Sequence, residues 1–78
     1  MTERTNKINE MLEKLRLTMV CCSPYVCIEE FAYDAIQEEV ICYYRNSGER
    51  MRMYINVACD SDKAIINDVI RSCDQFFC

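Results

Sequence analysis

The sequence contains no histidine and no tryptophan, and only one glycine and one proline among 78 residues. Without histidine, the chain lacks the most common general base and a frequent zinc ligand. A single glycine excludes the glycine-rich loops that hold phosphate groups, and neither G-x-S-x-G nor H-E-x-x-H occurs. We therefore predict a protein that is not an enzyme and that binds no cofactor and no metal ion.

No apolar run approaches the roughly 20 residues of a membrane-spanning helix. The stretch MTERTNKINEMLEKL is polar, which is not typical of a secretory signal. A hydrophobic fraction of 51% is typical of a folded domain, and a net charge of −4 disfavours general binding to phosphate. These features predict a single domain over residues 1–78, cytoplasmic and small enough to gain stability from a second subunit.

Seven cysteines are present, an odd number, and no two of them form a C-x-x-C pair. Neither a disulfide framework nor a zinc site is indicated by this spacing. Free cysteine is usually buried as a small apolar side chain. We therefore expect four cysteines in the core: Cys27, Cys42, Cys59 and Cys73.

Apolar residues recur at helical spacing near both ends of the chain, which predicts one helix over about residues 3–18 and another over about 61–76. The first stripe consists of Ile8, Met11, Leu12, Leu15 and Met19. The second consists of Ile66, Val69, Ile70, Cys73 and Phe77. Asp60, Ser61 and Asp62 precede the second stripe and are typical capping residues rather than metal ligands.

Between the helices the apolar period changes to two, which is typical of strands. In RMRMYINVA, the side chains of Met51, Met53, Ile55 and Val57 alternate with those of Arg50, Arg52, Tyr54 and Asn56. The preceding EEVICYYR is rich in β-branched and aromatic residues. Gly48 in NSGE supplies the positive φ of a short turn with a bulge. Residues 38–45 and 50–58 are therefore predicted to form a hairpin.

The stretch CIEEFAYDAIQEE, from Cys27 to Glu39, is harder to assign. Ser23 and Pro24 resemble a helix start, which favours a helix over about residues 24–36. In a strand, Val26 and Ile28 would alternate with Cys27, Glu29, Phe31 and Tyr33. A hairpin alone is weak and needs a third strand, so the strand is favoured, with residues 34–38 as the turn. The predicted fold is α+β: α-β-β-β-α, a three-stranded antiparallel sheet with both helices on one face.

Two helices cover only one face of such a sheet. The other face is expected to carry Arg50, Arg52, Tyr54 and either Tyr43 or Tyr44, and residues of these types are enriched in protein interfaces. Adjacent acids, Glu29 with Glu30 and Glu38 with Glu39, are expected on opposite faces, where they cannot act as a carboxylate pair.

The element order resembles that of the double-stranded RNA-binding domain. That family has a lysine cluster at the start of its last helix, whereas this chain reads DSDKAIIND, so its function is not implied. The chain is small and acidic, and it contains the stretch RMYINVACDSDKAIINDVI. In these features and in the order of its elements, it also resembles small acidic proteins of phages and mobile elements of Firmicutes, including anti-CRISPR proteins. This resemblance implies an inhibitor that places acidic residues in a basic groove. The residues concerned are Glu29, Glu30, Asp34, Glu38 and Glu39.

Three hypotheses follow from the sequence. The first is a protein-interaction module without chemistry, including a homodimer. The second is an inhibitor that blocks a nucleic-acid-binding complex, although surface acids also serve solubility alone. The third is a nucleic-acid binder that uses Arg45, Arg50, Arg52 and the tyrosines. Of these, a protein partner is favoured, either a nucleic-acid-binding complex or a second copy of the chain, over direct binding to nucleic acid or to a membrane.

Overall fold

A computed structural model describes residues 3–18, 25–57 and 61–77. Its elements are the helix α1 (Glu3–Thr18), the strands β1 (Val26–Asp34), β2 (Glu39–Asn46) and β3 (Glu49–Asn56), and the helix α2 (Asp62–Phe77). The order α-β-β-β-α is therefore confirmed. The strand interpretation of the region before the hairpin is also confirmed, because β1 occupies most of it.

The three strands form one antiparallel sheet in the order β1-β2-β3. Side chains of β2 alternate strictly: Val40, Cys42 and Tyr44 are buried, whereas Ile41 and Tyr43 point to the other side. The buried side chains belong to a single core with residues of both helices. The core residues are Ile8, Leu12, Ile28, Phe31, Val40, Cys42, Tyr44, Ile55, Val57, Ile65, Val69 and Cys73. Both helices thus cover one face, as predicted.

Two of the four cysteines expected in the core are there, Cys42 and Cys73. The Cys42 thiol makes a hydrogen bond with Cys73 that lowers the pKa of Cys73, while burial and the charge of Asp74 act in the opposite direction. The prediction for Cys27 is wrong, because this side chain is exposed on the helix-free side of the sheet. Cys59 lies outside the described residues.

The second helix begins as the capping residues predict. Ser61 Oγ accepts the N–H of Ala64 at 3.3 Å, and the Ser61 carbonyl accepts the N–H of Ile65 at 2.9 Å. Val69 and Cys73 are buried as predicted, but Ile65 is also buried and Ile70 is exposed, so the buried face is rotated slightly from the predicted one. The shift arises because tertiary packing against the sheet selects the buried face among several apolar residues.

The β2–β3 turn consists of two residues, Ser47 and Gly48, with φ of 53° and 87°. Positive φ at both positions is characteristic of the type I′ turn, which matches the twist of the flanking strands. The predicted role of Gly48 is thus confirmed. The predicted bulge at this hairpin is wrong, because the β2–β3 pairing runs from Asn46–Glu49 to Glu39–Asn56 without a register shift.

Replacing Gly48 with alanine is expected to lower the free energy of unfolding by about 1–2 kcal/mol. A Cβ at this position meets no heavy atom within 4 Å, so the cost is the left-handed backbone conformation itself. Urea unfolding measures the effect. The control is Ser47→Ala, which keeps a non-glycine residue at positive φ and should change stability little. Equal effects of the two substitutions would contradict the assignment of the strain to Gly48.

The irregularity of the sheet lies in β1 instead. The register with β2 shifts between Ile28, which faces Tyr44, and Glu30, which faces Tyr43. This β-bulge inserts one residue, Glu29, into β1. Ile28 and Phe31 are consequently both buried, so the prediction that Phe31 and Tyr33 lie opposite Ile28 is wrong.

Candidate functional site

The sheet face opposite the helices is covered by no helix or strand within the described part of the chain. We call it the open face. Its described residues are Cys27, Glu29, Glu30, Ala32, Asp34, Glu39, Ile41, Tyr43, Arg45, Arg50, Arg52, Tyr54 and Asn56. Arg50, Arg52 and Tyr54 therefore lie together, as the alternation of β3 predicts. The tyrosine that joins them is Tyr43, since Tyr44 is in the core.

The bulge places both Glu29 and Glu30 on the open face. Glu30 is paired with Tyr43 in the sheet, and the Glu29 carboxylate contacts two arginines of this face. The prediction that these two adjacent acids point to opposite faces is therefore wrong. Its physical reason is the extra residue, which interrupts the two-residue alternation of the strand. Glu38, by contrast, lies in the turn after β1 and Glu39 begins β2.

Glu29 holds two guanidinium groups of the open face. Its carboxylate accepts a hydrogen bond from Arg45 Nε at 2.9 Å and lies 3.6 Å from Arg50 Nε. Arg45 Nη1 also donates to the Gly48 carbonyl at 3.2 Å, so the same side chain contacts the hairpin turn. These pairs are partly solvated, and each contributes little to stability. Their main effect is to neutralise Glu29 and to restrict both arginines.

Tyr43 lies beneath this group. The guanidinium carbon of Arg50 is 5.2 Å from the centre of the Tyr43 ring, within range of a cation–π interaction. A shallow depression of about 430 Å³ beside it is lined by Glu30, Tyr43, Arg50, Met51 and Arg52. The open face thus combines ordered aromatic and cationic groups around a concave region.

The five acidic residues implicated by the resemblance occupy two places. Glu29 and Glu30 lie midway along β1, whereas the other three are at the β1–β2 turn. There, Asp34 Oδ1 accepts the N–H groups of Ile36 and Gln37 at 3.0 and 3.1 Å. Glu30 and Asp34 are four residues apart on an extended strand, which corresponds to about 13 Å. With Glu29 paired to arginines, the five acids do not make one patch of unengaged carboxylates.

Sequence reasoning missed a partly apolar surface along the outer edge of β3. A depression of about 250 Å³ lies between β3 and α2, and Phe76 on its rim is 56% exposed. Its lining residues are Met53, Tyr54, Ile55, Ser72, Gln75 and Phe76. The sequence does contain a signal for this surface. Phe76 and Phe77 are adjacent at the end of α2, so the apolar face of that helix can bury only one of them.

Neither a metal centre nor a membrane-crossing helix is found in the described residues. Among residues 3–18, 25–57 and 61–77, no group of three or more cysteine and acidic side chains is placed to hold a metal ion. No helix in these ranges is long and apolar enough to cross a membrane. Comparison with protein-family models gave no match, and neither did comparisons with curated proteins or with solved structures.

Proposed function

We propose that this protein is a non-enzymatic interaction module that binds a protein partner through the open face. The observation that carries the proposal is the face itself: Tyr43, Arg50, Arg52 and Tyr54 lie side by side on a sheet surface that no described element covers. Tyrosine and arginine are the residue types that most often dominate binding energy in protein interfaces.

The charges of the open face favour a protein over a nucleic acid. Its three arginines are opposed by four acids, Glu29, Glu30, Asp34 and Glu39, which leaves one net negative charge, and the whole chain carries −4. Two of these arginines already contact Glu29. Binding to a phosphate backbone needs a surplus of cations that this face lacks. A nearly neutral face with aromatic and paired charged groups suits another protein surface.

The ordering of the face supports binding as well. Glu29 contacts both Arg45 and Arg50, and Arg50 in turn lies against the Tyr43 ring. Side chains that are already restricted lose less conformational entropy when a partner binds. Tyr54 and Arg52, both exposed beside this group, are then the expected anchors that become buried.

The narrower hypothesis, an inhibitor that imitates nucleic acid with its carboxylates, is supported less well. It needs acidic groups that are close together and not neutralised, whereas Glu29 is paired and Asp34 already accepts two turn N–H groups. The acidic net charge and the element order are in its favour. An inhibitor that binds its target through the arginines and tyrosines of the open face fits the proposal equally.

We expect Tyr43→Ala and Tyr54→Ala each to weaken binding to the partner by about tenfold or more, because truncation of an interface anchor costs at least about 1.4 kcal/mol. A photo-reactive side chain at position 41, on the open face but not one of the expected anchors, identifies the partner, and calorimetry with the purified partner gives the affinities. The matched control is Leu17→Ala, an exposed apolar residue of α1 outside the open face.

Two results would contradict the proposal. The first is an equal loss of affinity with Leu17→Ala and with the tyrosine variants. The second is tight binding to DNA or RNA with a steep salt dependence that Arg50→Glu abolishes, which would assign the face to a phosphate backbone.

A further inference from the structure

The two edges of the sheet differ in how they are protected. At the outer edge of β1, the N–H of Tyr33 donates to Asn9 Oδ1 of α1 at 3.0 Å. The Glu29 bulge interrupts the same strand. Two features of this edge hinder pairing with a further strand. One is the helix side chain that accepts a hydrogen bond from an edge amide, and the other is the bulge. The β1 edge is therefore closed.

The outer edge of β3 has neither device. The hairpin is joined by two residues, and Val57 N–H donates to the Glu38 carbonyl at 3.0 Å, so the odd-numbered residues of β3 bond to β2. Backbone groups alternate in direction along an antiparallel strand. The N–H and C=O groups of Arg50, Arg52 and Tyr54 consequently point away from β2. No helix or strand of the described chain pairs with them, and the β2–β3 ladder has no bulge.

We propose that β3 pairs antiparallel with β3 of a second copy of this chain, centred on Met53, to form a continuous six-stranded sheet. In this register Met53 faces Met53 of the second copy. Met51 faces Ile55, and Arg52 faces Tyr54 with backbone hydrogen bonds in both directions. Every pair joins side chains of the same face, since opposed residues of antiparallel strands point to the same side.

The sequence of β3 is complementary to itself in this register. The apolar side chains Met51, Met53 and Ile55 meet on the helix side of the sheet. On the open face each arginine at position 52 meets a tyrosine ring, a favourable pair. A register centred on Arg52 instead places two arginines directly opposite each other, which is unfavourable. A register centred on Tyr54 places Met51 opposite residue 57, which lies outside β3 of the second copy. The ladder of paired residues is then shorter.

Part of the exposed apolar surface of the chain lies where the second copy would cover it. Met51 is 42% exposed and Phe76 56% exposed, and the depression between β3 and α2 borders the same edge. Pairing about a two-fold axis at Met53 brings the two depressions together on the helix side. Burial of these side chains adds hydrophobic stabilisation to the backbone hydrogen bonds. The area is small, so we expect a dissociation constant on the order of micromolar.

This inference does not rest on the proposed function. The axis is perpendicular to the sheet, so the open faces of the two copies lie side by side and stay uncovered. A dimer would then present two equivalent binding surfaces to a partner, which raises avidity for a partner with repeated sites.

The test compares Arg52→Pro with Arg52→Ala by sedimentation equilibrium under reducing conditions. Because the Arg52 N–H points away from β2, proline removes no bond within the sheet but blocks the edge. The wild type should approach twice the chain mass of 9.2 kDa as its concentration rises. We expect Arg52→Pro to weaken association about 100-fold or more and Arg52→Ala less than about tenfold. Circular dichroism of both variants verifies that the monomer is folded.

Amide hydrogen exchange of the wild type tests the same point without a substitution. The amides of Arg52 and Tyr54 should be protected at high concentration and exchange rapidly after dilution. A chain that is monomeric up to millimolar concentration overturns the inference. So does a dimer in which these two amides exchange freely, or one that Arg52→Pro leaves intact. Loss of partner binding in Tyr43→Ala without loss of the dimer would separate this inference from the proposed function.

Discussion

Replacing Tyr44 with alanine is expected to lower the free energy of unfolding by about 3–5 kcal/mol, the usual cost of removing a large aromatic side chain from a core. Tyr44 is only 3% exposed, and its ring centre lies 4.9 Å from that of Phe77 and 5.8 Å from that of Phe76. Domains of this size are stable by only about 4–12 kcal/mol. The variant should therefore unfold at a much lower urea concentration, or fail to fold at 25 °C.

The control for Tyr44→Ala is the same substitution one residue earlier. Tyr43 is on the open face, so Tyr43→Ala leaves no cavity in the core and should cost less than about 1 kcal/mol. Equal destabilisation by the two variants would show that the faces of β2 are assigned incorrectly. The comparison also establishes that Tyr43→Ala is folded when its binding is measured.

Leu12→Ala is the second substitution with a large expected effect. Leu12 is fully buried between α1 and the sheet, and alanine leaves a cavity that the surrounding side chains fill only in part. The expected loss is about 2–5 kcal/mol, measured by urea or thermal unfolding.

Leu17, on the same helix and 69% exposed, provides the matched control. Leu17→Ala removes the same atoms from a solvated position and should change stability by less than about 0.5 kcal/mol. A destabilisation by Leu17→Ala as large as that by Leu12→Ala would mean that α1 faces the sheet with a different side.

Local patterns explain why much of the fold could be predicted. The alternation of β3 is regular, and Gly48 falls in a two-residue turn that requires positive φ. The helices have apolar stripes that a 3.6-residue period accommodates, and Ser61 caps α2 as its residue type predicts. Each of these features depends on residues close together in sequence, so no tertiary information is needed to find them.

The first strand could not be predicted in detail, because its bulge depends on pairing with β2. A sequence signal was nevertheless present. The apolar residues of β1 step by two from Val26 to Ile28, by three to Phe31, and by two again to Tyr33. A three-residue step within a two-residue alternation indicates an inserted residue. Read as an unbroken strand, the same residues place Phe31 on the wrong face and separate Glu29 from Glu30.

The candidate site was predictable in composition but not in geometry. The alternation of β3 predicts that Arg50, Arg52 and Tyr54 share a face, whereas the choice between Tyr43 and Tyr44 depends on which side of β2 the helices cover. The pairing of Glu29 with Arg45 joins residues 16 positions apart. Such a contact requires the register of β1 against β2, which the bulge shifts by one residue.

The contrast between the two sheet edges limits how this fold can aggregate. Fibre-like growth by strand addition requires an available edge on both sides of every copy. Within the described residues, Asn9 and the Glu29 bulge protect one side, which leaves the β3 side to accept a strand. In the proposed dimer β1 lies at both outer ends, and the sheet ends there. The helix that completes the core thereby also stops open-ended assembly, an advantage for a small chain with an exposed strand edge.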